Sequence, residues 1–145
     1  MGINWDLVPH FVRKEFDDPL FPGSGDCVDG EFLILVVKLR LKTGWPMFTH
    51  SKVGGAVDMY GDHDHSDGSF HLYDWGACAL DFHFDTEAPE EDQIEAVKTI
   101  EFPGIGRYYD WHWAGQPLKI GFHIDKGNRY SRWKRVNGNY IYLEE

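Results

Sequence analysis

The side chains of this chain best suited to chemistry lie far apart in it. His71 and Asp81 fall in SFHLYDWGACALDFHF (residues 69–84), and His123 falls in GFHID. Asp81 stands between Leu80 and Phe82, and an ionised carboxylate inside an apolar strand is costly unless a cation or hydrogen-bond donors hold it. Zinc in hydrolases takes His, Asp or Glu ligands and keeps a position open for water, whose pKa the metal lowers toward neutrality. His71, Asp81 and His123 supply such a set. The alternative is a carboxylate held by hydrogen bonds among core histidines, since the 8 His of the chain allow many accidental triples. On an alternating strand His123 and Asp125 share one face, so Asp125 can orient the imidazole.

A denser group lies upstream in GDHDHSDGS, where His63 and His65 accompany Asp62, Asp64 and Asp67. It reads as a solvated acidic loop that binds metal loosely at most.

The elements that must position these residues follow from pattern. Pro9 to Phe16 reads as a short helix, broken by Asp17-Asp18-Pro19 and Pro22-Gly23. Asp29 caps a helix from Gly30 to about Lys42, with Phe32, Leu35, Val36 and Leu39 at helical spacing, cations at its end and Gly44 as its stop. Pro46 to Thr49 reads as a short strand, residues 51–70 as a long functional or mobile loop, and Cys78 to Phe84 as the clearest strand. Glu90 to Ile100 is an acidic-first amphipathic helix. Strands follow at Ile105 to Tyr109, Lys119 to Asp125 and, after the Asn137-Gly138 turn, Asn139 to Leu143. The expectation is one α+β domain over residues 1–145, a mainly antiparallel sheet with two or three helices.

A net charge of -10 argues against nucleic acid or an anionic membrane surface as partner. Only Lys126 to Arg135 is locally basic, either a solvated edge or a surface facing an anionic ligand. No run approaches a membrane span or a signal sequence, and Cys27 and Cys78 form no disulfide framework. The expectation is synthesis in the cytoplasm. An aromatic content of 16% implies an aromatic-lined groove or a core of large side chains.

The order of several local strings resembles the zinc peptidases typified by bacterial D-alanyl-D-alanine carboxypeptidases and phage L-alanyl-D-glutamate endolysins, whose fold is shared with the hedgehog signalling domain. The strings are His10-Phe11 with Glu15-Phe16, Leu39-Arg40 with Gly44 and Pro46, and Val53 to Ala56. Ser69, His71, Gly76, Ala79 and Asp81 follow the family signature, and Gly104 to Gly106, Gly121 to Asp125 and Arg132-Trp133 follow its end. The resemblance implies that His71, Asp81 and His123 hold zinc. It also implies action on peptidoglycan stem peptides, a phage or prophage origin, and arrival at the wall by lysis or in a virion.

There are departures from the family pattern. The stretch Leu72 to Leu80 between the first two ligands is longer than usual, so its turn must bulge. The string that usually carries a substrate-binding arginine is reduced to Thr49-His50-Ser51-Lys52, leaving Lys52 as the stand-in. Ile120 occupies the position of the acidic general base, so Asp110 and His112 become the candidates for proton transfer. Trp111 and Trp113 are candidates to line a substrate groove, and Arg107 to bind a substrate carboxylate. These losses favour a second expectation, a non-catalytic metal-binding virion or regulatory protein that keeps the fold.

Overall fold

Asp29 opens α1 (Gly30–Thr43) by accepting the Phe32 N–H at 2.8 Å, and Gly44, left-handed at φ 69°, closes it. This is the capping chemistry that the sequence carries at both ends. α1 buries Phe32, Leu33, Val36 and Leu39. α2 (Glu90–Lys98) sends Val97 into the same core and ends two residues before Ile100, with Thr99 as its C-cap.

Residues 2–145 of the chain are described by the computed structural model. The strands are β1 (Met47–Thr49), β2 (Ala79–Phe84), β3 (Gly104–Tyr108), β4 (His112–Trp113), β5 (Gln116–Pro117), β6 (Gly121–Asp125), β7 (Ser131–Val136) and β8 (Asn139–Tyr142). β4 and β5 form a small hairpin, while the others make a 6-stranded sheet in the order β1-β2-β6-β3-β7-β8. Every pair in that sheet is antiparallel except β3 with β7. The chain is thus one compact α+β domain with a mostly antiparallel sheet.

Strand alternation divides the sheet by chemistry. Leu80, Phe82 and Phe84 of β2, Phe122 and Ile124 of β6 and Ile105 of β3 join the core with the helices. The opposite face carries Asp81, His123, Asp125, Trp133 and Arg135, and the register pairs Asp81 with His123 directly.

Two expectations are corrected. Pro9 to Phe16 is not one helix, because His10 adopts φ 67° and only Arg13–Phe16 forms a 3-10 turn. Ser131–Val136 is a strand the apolar pattern did not mark, since SRWKRV has no continuous apolar face. Its partner β8 follows the turn at Asn137 and Gly138, left-handed at φ 50° and 78°, as a two-residue hairpin requires.

Candidate metal centre

The VGGA segment builds the centre from the backbone outward. Gly54 turns the chain at φ 83°, and the Gly55 carbonyl accepts the Asp81 N–H at 2.7 Å. A Cβ on Gly55 would sit 3.0 Å from the Asp81 Cβ, so glycine is what lets the ligand strand approach. The next carbonyl, of Ala56, accepts from His71 Nδ1 at 2.9 Å. That bond places a ring proton on Nδ1, so Nε2 faces Asp81 either as a second donor on a charged ring or, on a neutral ring, with a lone pair a metal could take.

The long stretch between the first two ligands folds out of the way. Tyr73–Trp75 form a 3-10 turn closed by Gly76 at φ 107°, after which the Ala77 N–H returns to the Leu72 carbonyl and the Cys78 N–H to the Phe70 carbonyl at 2.9 Å. The extra residues are therefore looped out, and His71 and Asp81 still meet. His71 Nε2 lies 3.2 Å from Asp81 Oδ1, and His123 Nδ1 lies 2.9 Å from the same oxygen. His123 Nε2 faces Asp125 Oδ2 at 2.8 Å, so Asp125 orients the imidazole.

Charge accounts for the protonation of this cluster. Burial disfavours a charged His123, but the hydrogen bonds to Asp125 and Asp81 outweigh it and push its pKa up to about 10. Burial likewise opposes ionisation of Asp81, yet the charge of His71 and hydrogen bonds from His123 and His71 hold it well below the usual carboxylate range. In this geometry His123 is an imidazolium between two carboxylates. A metal ion at Nδ1 would replace one of its protons.

The dense upstream cluster is not a free acidic loop. His63 Nε2 pairs with buried Asp18 at 2.8 Å, and His65 Nδ1 pairs with buried Asp58 at 2.8 Å. The second pair brings His65 against the centre, with its ring stacked on His71 at 4.2 Å and 5°. Ligand atoms of His65, His71 and Asp81 come within 4.8 Å of one another, as do those of Asp18, Asp58 and His63. Proximity groups His65 with His71 and Asp81, whereas ring orientation would suit His123. One ion cannot lie in the planes of two parallel stacked rings, but the His71 and His123 planes cross at 68° and can share one. In the other group Asp18 and Asp58 are already satisfied by backbone N–H donors and histidines.

His71, Asp81, His123 and Asp125 open onto a cavity of about 550 Å³, whose walls include His65, Tyr108, Trp111, Arg129 and Trp133. No family model, curated protein or solved structure matches this chain.

Of the candidates for proton transfer and substrate binding, only Trp111 reaches this cavity. It stacks on Tyr108 at 4.2 Å and lies over Gly121, where a Cβ would meet its ring at 2.2 Å. Asp110 is held by Arg135 through its guanidinium at 3.0–3.2 Å and accepts the Gly138 N–H at 2.8 Å. Burial would raise its pKa, but Arg135 and the Gly138 bond lower it, so Asp110 is a structural carboxylate outside the cavity wall. His112 is exposed on the β4–β5 hairpin. Arg107 points to the opposite side of β3 and is paired with Glu145. Lys52 and Trp113 line a separate groove with Phe48 and Val12. Ile120 is buried in the core.

His65 belongs to the His- and Asp-rich loop by sequence, yet it lies against the centre. Its signal was the His-rich string itself, but the partner that makes it part of the site, Asp58, is brought in by the backbone bonds Asp58 N–H to His71 O and Tyr73 N–H to Asp58 O.

Proposed function

We propose that this chain is a zinc-dependent, peptidase-like protein acting on the peptide stems of bacterial cell wall, with the fold of the D-alanyl-D-alanine carboxypeptidases and a phage or prophage origin. One observation carries the reading: His71 Nε2 and His123 Nδ1 converge on Asp81 Oδ1 from ring planes that cross at 68°. This donor set of two imidazoles and one carboxylate is the type that leaves zinc a position for water.

When bound, zinc supplies Lewis acidity and lowers the pKa of water to near neutrality. The residues do the rest. Ala56 and Asp125 hold the tautomers of His71 and His123. Proton transfer falls to His65 in place of Asp110 or His112. Its Nδ1–H is fixed by Asp58, and burial together with the neighbouring His71 holds its pKa below the ordinary imidazole value, so Nε2 is free to take a proton and return it to the leaving amine. Trp111 and Trp133 supply apolar walls for the peptide.

The test is zinc content by elemental analysis together with cleavage of purified stem peptides. Stoichiometric zinc and turnover abolished in His123→Ala are expected, with turnover reduced about 10²- to 10⁴-fold in His65→Phe at unchanged zinc content. A protein that binds no zinc, or equal activity in His123→Ala, would end the proposal.

A second reading, a non-catalytic metal-binding virion or regulatory protein, is favoured by one feature: the family's base position is Ile120, buried in the core. Stoichiometric zinc without turnover on any stem peptide would select it.

A further inference from the structure

The basic segment from Lys126 to Arg135 is the one feature of the sequence that the metal reading does not use. Two of its cations have carboxylate partners inside the protein, Lys126 with Glu31 at 2.9 Å and Arg135 with Asp110 at 3.0 Å. Arg132 has no carboxylate partner among the described residues, although it is only 8% exposed. Its neighbour Trp133 faces the metal centre, so alternation sends Arg132 to the helix side of the sheet, where its register partner Ile105 joins the core.

The hydrogen bonds of this guanidinium are one-sided. Nη1 donates to the carbonyls of Pro103 and Ser131 at 2.8 and 3.0 Å, while Nε–H is buried without an acceptor and Nη2 has none either among the described residues. Nε and Nη2 form one edge of the planar fork, the edge that takes two oxygens of an oxyanion side by side. The Tyr130 ring covers the face of the cation, 4.0 Å from it, but a ring does not replace an anion, and a buried cation without one is costly. An anion supplied from outside the chain removes that cost.

Arg132 lines a cavity of about 490 Å³ between the end of α2 and the turn that precedes β7, with apolar walls from Ile100, Phe102 and Tyr130. Lys98 and Arg129 line it as well, and its one carboxylate among the described residues, Glu101, is paired with Lys38 at 3.1 Å. Lys98 is held by Glu145 at 2.9 Å, whereas Arg129, like Arg132, has no carboxylate partner among the described residues. We propose that this cavity binds the phosphate dianion of a small ligand, held on the free edge of Arg132 with Arg129 beside it. Two unpaired guanidinium groups match a dianion, whereas a carboxylate would compensate only one of them. A net charge of -10 repels long polyanions, so a small ligand is the one that reaches this locally positive wall. The site lies on the side of the sheet away from the metal centre and does not rest on the peptidase reading.

The experiment is calorimetric titration of inorganic phosphate and phenyl phosphate, with benzoate as the monoanionic control, into the chelated full chain and into Arg132→Gln and Arg129→Gln, above the second pKa of phosphate. The tighter of the two phosphates should saturate in the millimolar range or below and exceed benzoate by at least about 10-fold. Arg132→Gln should weaken it at least about 10-fold, and Arg129→Gln about 3- to 10-fold. Thermal unfolding reports whether each variant is folded, and Arg129→Gln, at an exposed side chain, tests the site even if Arg132→Gln unfolds. A preference for phenyl phosphate assigns an ester ligand and a preference for inorganic phosphate the free ion; both keep the site. Failure of both phosphates to bind overturns the inference, as does benzoate binding equally well or unchanged affinity in either folded variant. Zinc-loaded protein should bind phosphate as the chelated protein does. Binding that needs zinc overturns the site too, since the anion would then sit at the metal centre.

Discussion

At the scale of single residues, the proposed zinc centre would set a proton and a metal ion in competition for His123 Nδ1. Because Asp125 and Asp81 push the His123 pKa up to about 10, that nitrogen must lose its proton before it can ligate. Zinc affinity should therefore rise about tenfold per pH unit through the neutral range, with one proton released per ion bound. Calorimetry in buffers of different ionisation enthalpy reads both quantities. Asp125→Asn keeps an acceptor for the Nε2–H but removes the charge. It should weaken zinc about 10- to 100-fold and flatten the pH dependence, and an unchanged slope would show that Asp125 does not set the protonation of His123.

Among the elements, β3 matters for what it lacks. Gly104 and Gly106 face Asp125 and Trp133, and Cβ atoms there would come within 2.2 Å of the Asp125 carboxylate and 2.5 Å of the Trp133 ring. These glycines hold room for the groups that orient and flank His123. Gly104→Ala should displace Asp125 and lower zinc affinity at least as much as Asp125→Asn. Gly30→Ala, at the first residue of α1 with nothing within 4 Å of the new Cβ, should leave zinc affinity unchanged and stabilise by up to about 1 kcal/mol. Zinc titration and urea unfolding of both variants compare the two sites. At the cap of α1, Asp29→Ala should cost about 1 kcal/mol in the same unfolding assay, without affecting the metal.

For the whole molecule, His123 and His50 predict how stability follows pH. The folded pKa of His123 is raised, so its contribution is complete below the ordinary imidazole value of 6.5 and is lost as pH rises through about 10. His50 is the opposite case. Burial, then the neighbouring His83, lower its pKa to about 4, so its contribution is present above 6.5 and is lost as pH falls toward 4. Chelated protein should thus be most stable near pH 6.5. By pH 9 it should lose on the order of 3 kcal/mol, at about 1.4 kcal/mol per pH unit. Zinc should suppress the alkaline loss, because a ligating His123 has already given up its proton. Urea midpoints at pH 5, 6.5 and 9, with and without chelator, measure this; an alkaline loss that zinc does not reduce would remove His123 from the centre. No helix among the described residues is long and apolar enough to cross a membrane.

Much of this architecture is local and was legible in the residues alone. Asp29 and Gly44 delimit α1, Asn137-Gly138 make the last hairpin, and alternation around Leu80, Asp81 and Phe82 puts one carboxylate opposite two core side chains. Each rests on a propensity that acts over a few residues. Site residues were legible only where such alternation or a motif marks them, as at His71, Asp81 and His123. The roles of Asp110, Arg107 and Lys52 were not, because a side chain's partner depends on which strand lies beside it. Asp110 meets Arg135 because β3 pairs with β7, and Arg107 meets Glu145. His65 joins the centre through Asp58, held beside Leu72 by a backbone bridge. The sequence by itself determined the elements and the imidazole and carboxylate groups they carry. Only the tertiary structure decided which histidine planes cross at one carboxylate oxygen, because that depends on non-local strand register and on turns that fold the extra residues aside.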